Sequence, residues 1–173
     1  MIGRAARVRG GRSTAADAPL CGPATNGYFV KTRVPEQPVK LELKVDSDPA
    51  NLAPIRKATE AFAARFGLEP QAVADLGLCV NEAVANVIRH AYGGRTDRPI
   101  AVTCEGSTAG VRVLIRDWGN GVDPSSIPAR AYDPLTPGGV GLICLTRLLD
   151  DVTYTPQRDG GMLTTLVKKR KKF

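Results

Sequence analysis

Between residues 39 and 167 the apolar residues recur every second position, then at helical spacing twice, then every second position twice more. After a stretch with no period, one helical run and two strand-like runs follow. This order, βααββ, loop, αββ, is that of an α+β two-layer sandwich: one mixed, mainly antiparallel sheet with three helices on one face.

The first strand is the alternation Val39-Lys40-Leu41-Glu42-Leu43-Lys44-Val45. Asp48-Pro49 offers a cap and a first-turn proline, and Ile55, Ala58, Phe62 and Phe66 keep helical spacing until Gly67. A second helix is expected from Pro70 to Tyr92, stopped by Gly93-Gly94. Ile100 to Cys104 and Val111 to Ile115, split by a glycine-bounded turn, read as a hairpin. Val140 to Leu149 reads as a short packed helix, and Val152 to Tyr154 and Met162 to Val167 as closing strands. The chain of 173 residues fits one such domain, expected over 39–169, with a disordered or loosely packed basic leader over 1–38 and a basic tail over 170–173. No internal repeat is present.

Charge and cysteine usage exclude several function classes. The net charge is +7, yet residues 41–167 hold twelve basic against fifteen acidic groups, −3, so the excess lies in the termini. A basic nucleic-acid face on the fold is therefore not expected, and no specific nucleic acid is a partner. No apolar run approaches the roughly 20 residues that cross a bilayer. Cys21, Cys79, Cys104 and Cys144 stand far apart with no CxxC pair, which removes the zinc-ribbon and disulfide-scaffold readings and points to a reducing cytoplasm.

Three segments carry chemistry. On a wheel of the second helix, Leu76, Val80, Ala83, Val84, Val87 and Ala91 share one side, and Asp75, Glu82, Asn86, Arg89 and His90 the other. Glu82 and Asn86, one turn apart, form a solvated polar face or converge on a hard cation, since Mg²⁺ takes oxygen ligands. A strand then runs into Arg116-Asp117-Trp118-Gly119-Asn120-Gly121, where alternate glycines either make a turn or admit a ligand against backbone. Trp118 flanks that place or simply packs. Residues 117–139 form a long connection of the kind that serves as a lid or binding loop. Pro137-Gly138-Gly139-Val140-Gly141 heads the third helix, leaving free N–H groups for phosphate.

Taken in order, an ExxxN helix, a strand ending in DxGxG and a GxG-headed helix resemble the three nucleotide-binding boxes of the GHKL ATP-binding superfamily. Within it, VNEAVANVIRHAYGG, IRDWGNGVDP and GGVGLICLTRLLDDVTY are most similar to the bacterial anti-sigma factor serine/threonine kinases. The resemblance spans roughly residues 39–169. It implies ATP and Mg²⁺ as cofactors, with Glu82 as the general base and Asn86 as the Mg²⁺ ligand. It further implies that Asp117 accepts from the adenine amino group over a floor shaped by Gly119 and Gly121. Gly139, Val140, Gly141 and Leu142 would face the phosphates, and a last-strand hydroxyl, Thr164 or Thr165 with Thr165 preferred, would close the pocket. The implied partners are a sigma factor and a STAS-domain anti-anti-sigma protein, in a homodimeric, cytoplasmic kinase. The alternative is an ATP-binding module that sequesters a partner with little or no transfer.

Overall fold

The computed structural model describes residues 39–120 and 140–171, with 140–143 as backbone only. The expected leader over 1–38 and Cys21 lie outside the described residues, as does most of the 117–139 connection. In chain order the elements are β1 (Val39–Asp46), a 3₁₀ turn (Pro49–Asn51), α1 (Leu52–Arg65), α2 (Pro70–Asn86) and a π-helical turn (Val87–Ala91). There follow β2 (Pro99–Ser107), β3 (Gly110–Asp117), α3 (Val140–Leu148), β4 (Asp151–Pro156) and β5 (Met162–Lys169).

The sheet order is β1-β2-β3-β5-β4, and every pairing is antiparallel, in line with the mainly antiparallel sheet expected. Register explains the alternation in the sequence. Leu43 faces Val102, Val102 faces Ile115, and Ile115 faces Thr164, so these residues line one side of the sheet. That side carries Ile100, Val102, Cys104, Val113, Ile115 and Leu166, all buried, and the apolar faces of the helices close on it. The other side carries Lys40, Glu105 and Arg112, joined by ion pairs.

Local chemistry sets the helix ends. Asp48 Oδ1 accepts from Ala50 N–H at 2.8 Å, capping the 3₁₀ turn that feeds α1. Phe62 and Phe66, with ring centroids 4.8 Å apart, anchor the far end of α1, where Gly67 turns the chain. On α2, Leu76, Val80, Ala83 and Val84 are buried as their spacing requires. Asp75, on the expected polar face, is half-buried rather than open to solvent. It pairs with Lys168 at 3.3 Å, and Lys168 also donates to the carbonyl of Leu148, tying α2, the end of α3 and β5 together. Cys79 Sγ lies 3.6 Å from the carbonyl of Cys144, where α2 meets α3. Cys79, Cys104 and Cys144 are all free, and burial pushes the Cys79 thiol up to about 12.

Candidate active site

The second helix does not run on as a regular α-helix to Tyr92. After Asn86 it widens into a π turn in which Tyr92 N–H bonds to Val87 C=O at 3.0 Å, and Gly93 and Gly94 then take positive φ. Such turns insert one extra residue and re-aim the side chains beyond them. Glu82 and Asn86 stay on the regular part, one turn apart and half-buried. Arg89, thrown outward on the π turn, donates Nε to Ala85 C=O at 3.3 Å and sets Nη2 3.8 Å from Glu82 Oε2. His90 is exposed.

The π turn meets the end of β3. Asp117 is the last residue of that strand and is 2% exposed, among the few polar side chains of the core. Its Oδ1 accepts from Gly119 N–H at 3.0 Å, and the backbone N–H of Met162 also donates to the carboxylate. Among the described residues it forms no ion pair, because the neighbouring Arg116 turns to Asp159 at 2.7 Å instead. Burial therefore raises the Asp117 carboxyl above the usual range, against the lowering pull of those two N–H donors. A buried group that only accepts when ionised, aimed at a strand end, suits a ligand that donates.

Two glycines let backbone close on this carboxylate. A Cβ on Gly119 would fall well inside 3.0 Å of the Ala91 carbonyl, so only glycine lets the 117–120 segment lie on the π turn, where Asn120 N–H reaches Ala91 C=O at 3.3 Å. Gly161, at φ 73°, presses on Asp117 from the β4–β5 turn, and a Cβ there would strike the Asp117 carbonyl. No part in the site is assigned to Gly160-Gly161 by the sequence motifs above. Tyr92 was missed too. Its hydroxyl donates to Pro99 C=O at 2.6 Å and accepts from Trp118 N–H at 2.8 Å.

Of the two candidate hydroxyls, Thr164 is the one on the Asp117 side. It is buried opposite Ile115, in the row of Met162 and Leu166, whereas Thr165 pairs with Leu114 on the opposite side of the sheet. Gly121 and Gly139 lie outside the described residues. Val140, Gly141 and Leu142 form the first turn of α3, whose leading amides lack intrahelical partners as at any helix start. Among the described residues no three His, Cys, Asp or Glu side chains gather to hold a metal. A Mg²⁺ here would take the Asn86 carbonyl oxygen, with phosphates and water completing its shell, the usual arrangement for this ion. No helix among the described residues is long and apolar enough to cross a membrane.

The chain is similar to several known proteins. Serine-protein kinase RsbW of Bacillus velezensis is 25% identical over 136 residues, covering 74% of this chain and 84% of the relative. Anti-sigma F factor of Clostridium novyi is also 25% identical over 136 residues, covering 76% of this chain and 95% of the relative. The crystal structure of the RsbU and RsbW domains of a Mycobacterium tuberculosis protein superposes with a TM-score of 0.56 at 19% identity. It covers 78% of this chain but only 33% of that longer one, and shows the fold. The model of the histidine kinase-like ATPase domain matches residues 45–168, which takes in the ExxxN helix, Asp117 and β5. Membership of an ATPase family implies ATP binding. The chain belongs to the histidine kinase-like ATPase domain family.

Proposed function

We propose that this chain is a cytoplasmic serine/threonine protein kinase of the anti-sigma type, which sequesters a sigma factor and phosphorylates a STAS-domain antagonist. The observation that carries the reading is the division of labour along α2 and β3. A half-buried carboxylate, Glu82, stands one helical turn from an amide, Asn86, while the π turn that follows packs on the segment holding the buried Asp117. The relatives named serine-protein kinase and anti-sigma factor support the same assignment.

Mg-ATP supplies the phosphoryl group and the cation that neutralises its charge. Asp117 accepts a hydrogen bond from the adenine amino group, and Thr164, on the same side of the sheet, borders the base. Asn86 would hold the cation, and the backbone amides of Val140, Gly141 and Leu142 at the head of α3 would face the phosphates. Glu82 takes the proton of the partner's serine hydroxyl as its oxygen attacks the γ-phosphorus and ADP departs. A homodimer is part of the proposal.

One observation favours a second reading. Arg89 Nη2 sits 3.8 Å from Glu82 Oε2, an ion pair that occupies the carboxylate a transfer step uses, as in a module that binds ATP and grips a partner without transfer. Labelled ATP with a STAS-domain substrate separates the two. The kinase reading expects label on a serine or threonine of the substrate and its loss in Glu82→Ala. ATP binding with no label in the wild type overturns it in favour of the module.

A further inference from the structure

The register of β2 against β3 breaks off at the site for a definite reason. Ile100 faces Asp117, so one step further would set Pro99 opposite Trp118. That rung does not close directly. The Tyr92 hydroxyl stands between the two strands, donating to Pro99 C=O at 2.6 Å and accepting from Trp118 N–H at 2.8 Å. It uses both capacities of a phenol, and the ring is itself buried, 8% exposed.

The consequence falls on Asp117. With Trp118 N–H drawn to the tyrosine, the chain leaves the ladder just beyond the carboxylate. It curls so that Gly119 N–H returns to Asp117 Oδ1 at 3.0 Å and Asn120 N–H reaches Ala91 C=O, the residue beside Tyr92. The π turn fixes where the hydroxyl stands, since Tyr92 N–H is the one that closes on Val87. Arg116 and Asp159 hold the other side of this bend, through the ion pair between them and a contact from Trp118 Nε1 to Asp159 at 3.3 Å.

We propose that Tyr92 is a positioning residue for base recognition: its hydroxyl, wedged between Pro99 and Trp118, aims the Asp117 carboxylate at the exocyclic amino group of an adenine nucleotide. The proposal rests on the reading of Asp117 as the adenine acceptor. With both capacities of its hydroxyl taken by backbone, Tyr92 acts through the backbone of Trp118 and Gly119. Removing the hydroxyl leaves the ring in place and frees Trp118 N–H to bond directly to Pro99 C=O, the one bond a rung at a proline can make, or frees the bend to loosen.

The test compares ATP with inosine triphosphate, which carries an oxygen where ATP has the amino group, by calorimetric titration in Mg²⁺. Three full-length proteins are used: wild type, Tyr92→Phe and Asp117→Asn. The wild type is expected to prefer ATP by about 10- to 100-fold, the range of one hydrogen bond to a charged acceptor. Asp117→Asn should abolish the preference. Tyr92→Phe should lower ATP affinity while leaving inosine triphosphate within about threefold, so that the ratio collapses, an outcome that a loss of general stability would not give. If Tyr92→Phe weakens both nucleotides equally, or keeps the wild-type ratio, the positioning role is wrong while the reading of Asp117 stands. If the wild type shows no preference, or Asp117→Asn retains it, the reading of Asp117 fails and the proposal falls with it.

Discussion

Adding one methyl group at Gly119 tests the contact on which the whole site is built. The Cβ of Gly119→Ala would meet the carbonyl oxygen and Cβ of Ala91 inside 3.0 Å, and one of these is backbone in a hydrogen-bonded turn. It cannot swing aside, so the 117–120 segment must withdraw. Overpacking of this kind costs about 1–3 kcal/mol. Loss of the Asn120 to Ala91 bond adds about 0.5–1.5 kcal/mol, for roughly 2–4 kcal/mol in all. At about 2–4 °C per kcal/mol for a chain of this size, the melting temperature should fall by about 4–16 °C. ATP affinity should fall with it, because Gly119 N–H no longer reaches Asp117 Oδ1. Gly77→Ala is the control. Its Cβ would also be crowded, but the three nearest atoms belong to the side chain of Glu60, which can move out at the expense of an exposed pair with Arg56. The gain in helix propensity, about 1 kcal/mol, offsets that loss, and the control should stay within about 1 kcal/mol of wild type. Thermal melts by circular dichroism and titration with Mg-ATP read both. A Gly119→Ala protein that melts within 2 °C of wild type and binds ATP normally refutes the argument.

Mg-ATP at a hundred times its Kd should raise the wild-type melting temperature by roughly 5–10 °C, and Asp117→Asn should abolish the rise. Without nucleotide, the raised pKa of Asp117 means that ionising it costs stability, a cost absent below its unfolded pKa and complete above the folded one. Asp117→Asn should therefore be at least as stable as wild type at pH 7, with the difference shrinking on acidification; melts across pH check it. Wild-type ATP affinity should weaken as acid protonates Asp117, since the neutral carboxyl is a poorer acceptor. Glu82→Ala should keep Mg-ATP binding and lower single-turnover phosphoryl transfer by about 10²–10⁴, whereas Asn86→Ala should weaken Mg²⁺-dependent binding itself. Lys168→Met should destabilise by about 1–3 kcal/mol in urea titrations, as it leaves Asp75 and Leu148 C=O without their cation, each side chain of the pair being about 15% exposed. Changing Asp75 to leucine as well should recover part of that loss.

What the sequence could and could not disclose follows from which interactions are local. The strand alternation from Val39, the cap at Asp48, the stop at Gly93-Gly94 and the placing of Asp117 at a strand end are settled within a few residues, and the structure has them all. Which of Thr164 and Thr165 lies on the Asp117 side of the sheet was not legible. In Met162-Leu163-Thr164-Thr165-Leu166-Val167 both alternating sets are equally apolar, so period two cannot tell the covered side from the open one. Only pairing with β3 decides it. Asp75 lies on the polar side of the wheel, but its environment is set by Lys168, 93 residues away. The Tyr92 bridge joins residues 7 and 26 positions apart, and the π turn that creates it leaves no mark in helical periodicity. Glu82 and Asn86 declare their spacing in the sequence, whereas the guanidinium of Arg89 beside Glu82 depends on that same turn.

Trp118 is the sole tryptophan of the chain, 43% exposed, and it follows directly on Asp117. The Arg116 guanidinium lies 4.6 Å from its ring centroid, and its indole nitrogen leans on Asp159. Ultraviolet emission excited at the red edge of the absorption band therefore originates at a single point, the rim of the candidate nucleotide site. A charged neighbour over the indole makes that emission sensitive to small displacements of the bend. The protein carries an intrinsic optical probe exactly one residue from the carboxylate proposed to read the base, so occupancy can be followed in real time without attaching a dye.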